Sequence, residues 1–111
     1  MAWRVVDCRS RSYPYDGEVE GDVYWALLMD SRTGEELEFE LLDGLYYGSE
    51  DEEDSGEPLG MVEVLIDGSV DFSEIFPLKD KKRVVRLLVR KYSDIIDAIN
   101  SECNEFDLNF R

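Results

Sequence analysis

The chain contains no histidine, and that single absence removes a large part of enzyme chemistry. The commonest general base is gone, and with it every Ser/His or Cys/His nucleophilic pair and every mixed Cys/His zinc site. Cysteine is scarce too. Cys8 and Cys103 lie far apart and neither belongs to a CxxC pair, so they read as two free thiols of a cytosolic protein. No phosphate-cradling GxxxxGK[ST], no GxGxxG and no GxSxG occurs. No apolar run reaches the eighteen or so residues of a membrane span. The opening Met1-Ala2-Trp3-Arg4-Val5-Val6-Asp7 lacks the basic and apolar regions of a secretory signal. The expectation is a cytoplasmic protein that is not an enzyme and needs no cofactor and no metal.

Positive charge is the other shortage: 12 Lys and Arg stand against 27 Asp and Glu, a net charge of −15. A domain of this size is comfortable at a net charge of about 2–8 in magnitude, so the excess costs self-repulsion that solubility does not require. Its distribution is uneven. Residues 16–57 carry sixteen acids against one base, Arg32, and hold −15 alone, while residues 1–15 and 58–111 are close to balanced.

What remains is ordinary for a folded protein. The length, 111 residues, suits a single domain over 1–111, and 43% hydrophobic with 12% aromatic residues is too rich for a disordered chain. Trp3–Cys8 reads as a short strand and Arg9–Gly21 as a loop broken by Pro14 and Gly17. Val23–Met29 is apolar throughout, as a central strand would be, and Ser31-Arg32-Thr33-Gly34 is turn sequence. Glu36-Leu37-Glu38-Phe39-Glu40-Leu41 alternates without error, the clearest strand in the chain. With a three-residue loop at Arg32–Gly34, Trp25, Leu27 and Met29 would lie opposite Leu41, Phe39 and Leu37 in the core, and Asp30 opposite Glu36. Asp43–Gly60 reads as a surface loop, most acidic at about 48–58, and Met61–Asp67 as a further strand turned by Asp67-Gly68. Val70–Pro77 is ambiguous. From about Leu78 to Glu102, Val84, Val85, Leu88, Tyr92, Ile95, Ile96 and Ile99 form one stripe at helical spacing, widened by Leu87. Ser93-Asp94 could cap a second helix, but the stripe runs through Ser93 unbroken and favours a single one. The fold class expected is α+β: an antiparallel sheet of about four strands with one long C-terminal helix packed across one face.

Three features carry a functional reading. Glu36, Glu38 and Glu40 would form a row of carboxylates on the solvent face of a strand, repeating every ~6.8 Å. The run Glu50, Asp51, Glu52, Glu53, Asp54 and Glu57 adds six acids, and lacks the ligand order of a calcium loop. Asp16, Glu18, Glu20 and Asp22 would flank the array, with Tyr46 and Tyr47 as amphipathic anchors. Secondly, Lys79, Lys81, Lys82 and Arg83 crowd the start of the helix, where the macrodipole favours anions. Intramolecular pairing, with the acidic loop folded over the helix start, is the plainer explanation. A homodimer, the basic helix start of one copy on the acidic face of another, is the sharper one. Thirdly, an ordered acidic face attracts proteins that use Lys and Arg to bind nucleic-acid phosphates. In charge and size the chain resembles the small acidic decoys that phages and mobile elements use against restriction or CRISPR nucleases, and the immunity proteins that cap nuclease toxins. That resemblance implies an inhibitor whose partner is a protein with a basic surface, not nucleic acid directly. The alternative is a structural or regulatory subunit of a larger assembly, held by an apolar surface.

Overall fold

Each strand pairs with the one before it. The computed structural model describes residues 3–13, 19–46 and 58–103. Among these, β1 (Trp3–Tyr13), β2 (Val19–Asp30), β3 (Glu36–Tyr46), β4 (Leu59–Ile66) and β5 (Ser69–Pro77) form one antiparallel meander in chain order. A 3-10 turn at Leu78–Asp80 leads into α1 (Lys81–Lys91) and α2 (Ser93–Glu102). The α+β class holds, but the sheet has five strands rather than about four. Asp67 and Gly68 both take positive φ, 51° and 83°. That is the geometry of a two-residue hairpin turn, and it returns Ser69–Pro77 alongside β4.

The long helix is two helices. Tyr92 leaves helical geometry at φ −116°, ψ 30°. Its N–H still reaches the Leu88 carbonyl at 2.9 Å, and the Ile96 N–H reaches the Tyr92 carbonyl at 2.8 Å. The break is therefore a one-residue kink, and the apolar stripe crosses it unbroken. Tyr92 rather than Ser93 occupies the cap position of α2, and it makes no side-chain cap bond.

The core lies between the helices and one face of the sheet. Ala26, Leu28, Phe39, Leu41, Val62, Val64 and Phe76 come from the strands, and Val84, Leu88, Tyr92, Ile96, Ile99 and Cys103 from the helical stripe. Burial of such side chains contributes about 1.5–3 kcal/mol each, so the stripe holds the two layers together. Cys103 is buried, Cys8 is half-buried, and both are free thiols.

The β2–β3 register is one residue away from the sequence expectation. The Asp30 N–H donates to the Glu35 carbonyl and the Gly34 N–H to the Asp30 carbonyl, both at 2.8 Å, with Gly34 at φ 77°. The loop therefore holds four residues, 31–34, and Met29 rather than Asp30 pairs with Glu36. The cause is local. Asp30, only 6% exposed, turns its carboxylate back to accept the Arg32 N–H at 2.8 Å, and this side-chain turn lengthens the loop by one residue. A one-residue slip moves every side chain to the other face. Ala26 and Leu28 take the core, and Trp25, Leu27 and Met29 point away from the helices, opposite Glu40, Glu38 and Glu36.

Candidate functional site

Both helices lie on one face of the sheet, and no described element covers the other. Register and alternation place three rows side by side on that open face. On β1 are Asp7, Arg9 and Arg11, paired across to Leu27, Trp25 and Val23 of β2; Arg4 lies opposite Met29, but its side chain is held by Glu102 of α2. Those β2 side chains form the second row, apolar along its length. Glu36, Glu38 and Glu40 of β3 form the third, paired to Met29, Leu27 and Trp25 from the other side. Beyond them the apolar surface resumes with Leu65 of β4, and with Val70 and Ile75 of β5, 59% and 47% exposed.

The acidic row is fixed in position and, among the described residues, not neutralised by an ion pair. Glu38 is anchored through its backbone: its N–H donates to Asp67 Oδ1 at 2.9 Å, and its carbonyl accepts the Asp67 N–H at 2.8 Å. Among the described residues six ion pairs occur, using Asp7, Asp30, Asp43, Asp71, Glu74 and Glu102, and none involves Glu36, Glu38 or Glu40. Where the basic and acidic rows flank Trp25, the face is concave. A hollow of about 400 Å³ is lined by Arg9, Ser10, Arg11, Val23, Trp25 and Glu40, with the Arg9 guanidinium 4.7 Å from the Trp25 ring centre. A stacked cation, a second arginine and a carboxylate around an apolar floor are recognition chemistry for a charged, partly apolar surface.

The acidic segment does not form one array. Glu20 and Asp22 share the alternation of Tyr24 and Ala26, and Asp43 that of Leu41, so these acids belong to the helix-side face. Tyr46 ends β3 instead of lying in a loop, half-buried between Val19 and Leu59. Tyr47, Glu50, Asp51, Glu52, Glu53, Asp54 and Glu57, with Asp16 and Glu18, lie outside the described residues. The basic cluster is partly compensated from the sheet: Lys81 pairs with Asp43 at 3.3 Å and Arg83 with Glu74 at 3.2 Å. Lys79 and Lys82 make no ion pair with a described residue.

Perturbed titrations lie elsewhere, at joints of the fold. The Tyr92 hydroxyl, helped by Lys91, holds Asp71 below the usual carboxylate range, while burial and then Asp71 itself push the Tyr92 phenol up. Glu102 is lowered by the Val5 N–H at 2.8 Å and then by Arg4 Nε at 2.9 Å, which ties α2 to the edge strand β1. Asp30 is lowered first by the Arg32 N–H. For Asp30, Asp71 and Glu102 the folded value is depressed. Their contribution to stability is complete above the unfolded values, about 3.9 for Asp and 4.3 for Glu, and is lost as pH falls below them. Tyr92→Phe is expected to lower the melting midpoint by roughly 5 °C at neutral pH, with the gap to wild type narrowing below about pH 3.9, in thermal scans across pH.

Among the described residues no group of three or more His, Cys, Asp or Glu side chains is placed to hold a metal ion, and no helix is long and apolar enough to cross a membrane. Comparison with known proteins gives no match to a family model, to a curated protein or to a solved structure.

Proposed function

We propose that the chain is a non-enzymatic binding protein that lays its open sheet face on a basic surface of a target protein, one with which that target holds nucleic acid. The observation that carries this reading is the row Glu36, Glu38 and Glu40, unpaired within the described chain and set beside Trp25, Leu27 and Met29. The carboxylates supply steering and register, and the apolar row supplies the burial that phosphates lack. A net charge of −15 extends the attraction towards basic partners well beyond contact distance. This is the working principle of a phage anti-defence protein or a nuclease immunity protein.

The test is retention of cellular proteins on the immobilised chain, comparing wild type with Glu36→Lys/Glu38→Lys/Glu40→Lys. Wild type is expected to retain nucleic-acid-binding proteins that added DNA or RNA displaces, and to lose them at about 0.5 M salt. The triple variant, with an unchanged circular dichroism spectrum, is expected to bind them roughly a hundredfold or more weakly. Retention indifferent to salt, nucleic acid and charge reversal would overturn the reading. One observation favours a second reading, a subunit of a larger assembly. Val70 and Ile75 continue the apolar surface past the charged rows. On that reading Leu27→Ser abolishes a salt-insensitive association which charge reversal leaves intact.

A further inference from the structure

We infer that the open sheet face also takes a second copy of this chain, packed about a two-fold axis that runs along β2. Rows of opposite charge flank one apolar row, and this makes the face its own complement. A two-fold axis lying between two facing sheets and parallel to their strands exchanges left and right across β2. It sets the apolar row of one copy on the apolar row of the other, and the β1 row of each copy over the β3 row of its mate. Arg9 then meets the mate's Glu40, and by symmetry Glu40 meets the mate's Arg9. Arg4 and Glu36 share the rung through Met29, but the Arg4 side chain is held by Glu102 of α2, so the Arg9–Glu40 contact, made twice, is the charged pair that fixes the packing. An axis perpendicular to the strands would instead stack arginine on arginine and glutamate on glutamate. The pattern of charge therefore selects one packing, the aligned one, with strands crossing at about −30° as in ordinary sheet sandwiches.

One rung opposes this arrangement. Asp7, opposite Leu27, would face the mate's Glu38. Its charge is already met by Arg9 at 3.5 Å, so the mismatch is softened within each copy. With the axis on β2 only β1, β2 and β3 of each copy overlap. Three strands about 4.8 Å apart and some eight residues long at about 3.3 Å present roughly 380 Å² in projection, about half of the ~800 Å² that each partner commits to a stable interface, so the dimer is a weak one.

Self-association and target binding use the same side chains and so exclude one another, a clause that rests on the function proposed above; the dimer itself does not. The two events also respond to salt with opposite sign. A basic target is held by long-range attraction that salt screens away. Two copies at −15 each repel at long range, and screening within about 8 Å at physiological ionic strength removes that repulsion faster than it weakens partly desolvated contact pairs.

The experiment is sedimentation of the full chain without any target, across salt, for wild type, Arg9→Glu, Glu40→Arg and an equimolar mixture of those two variants. Wild type is expected to dimerise more strongly as salt rises to about 0.3 M. Each variant alone places like charges across the axis twice, and its dimer dissociation constant is expected to rise at least about tenfold. In the mixture both contacts become opposite-charged again, so a heterodimer is expected within about threefold of wild-type strength. Leu27→Asp, on the axial row and facing its own copy, is expected to give monomer at every salt concentration. A wild type that stays monomeric at about 1 mM, or a mixture that associates no better than its components, overturns the inference. Either result leaves the target-binding test standing, because no target is present.

Discussion

Gly44→Ala is expected to remove a large part of the protein's stability. Gly21 and Gly44 pair directly across β2 and β3. A methyl group on Gly44 would lie 2.3 Å from the Glu20 carbonyl oxygen, and one on Gly21 would lie 2.2 Å from the Asp43 oxygen and 2.4 Å from the Gly44 Cα. These obstacles are backbone atoms of a sheet ladder, which a rotamer change cannot clear. Relief requires the two strands to separate at this end of their ladder, from Gly21–Gly44 outward. A loss above about 3 kcal/mol is expected, against a total stability of about 5–15 kcal/mol for a domain of this kind. Gly68→Ala is the control. Nothing stands within 4 Å of its added methyl, so only the left-handed backbone at φ 83° is strained, costing about 1–2 kcal/mol. Denaturant titration of the two variants separates them: the midpoint of Gly44→Ala falls at least about twice as far as that of Gly68→Ala.

How much of this was legible beforehand depended on whether the deciding physics is local. The alternation of Glu36–Leu41 exposes its two faces directly, and the Asp67-Gly68 turn and the stripe from Val84 to Ile99 are equally local patterns. The outer half of β1 was lost to a loop because it is an edge: Arg9, Ser10, Arg11 and Ser12 are all exposed, so no polar–apolar alternation marks the strand. The β2–β3 register turned on one hydrogen bond, from the Arg32 N–H to the Asp30 carboxylate, which composition does not reveal. Because Val23–Met29 is apolar at every position, either register offered a plausible core. Choosing the wrong one buried Trp25, Leu27 and Met29, the residues that give the open face its apolar row.

The candidate site shows the same division. Alternation alone placed Glu36, Glu38 and Glu40 on the face turned away from the core. Arg9 and Arg11 were missed as their counterpart because the relation between the two rows exists only through β2, and pairing partners distant in sequence leave no periodic trace. The basic cluster at the helix start was read as needing compensation, and for Lys81 and Arg83 it comes from Asp43 and Glu74 of the sheet. That pairing also removes Asp43 from any acidic surface offered to a partner. Charge counted along the chain overstates the charge available on one face, and the open face is better described as patterned than as uniformly acidic.

Neighbouring residues of β3 allow fold and binding to be separated with two substitutions. Phe39 is 1% exposed, and its ring meets Tyr92 edge-on at 5.9 Å and 65°, at the kink where α1 passes into α2. Phe39→Ala is expected to cost about 3–5 kcal/mol, because the cavity opens beneath a joint that Tyr92 and Asp71 hold in place and that cannot collapse freely. Glu40, the next residue, points the other way into the hollow beside Arg9 and Trp25. Glu40→Lys is expected to leave the unfolding midpoint within the small range of ordinary surface changes while lowering target affinity at least about tenfold. Paired denaturation and binding measurements on the two variants check both halves. If Glu40→Lys destabilised the chain as much as Phe39→Ala, the open face would be part of the fold's own support rather than a surface kept for a partner. If Phe39→Ala were mild, the helices would not be the brace that the buried stripe requires.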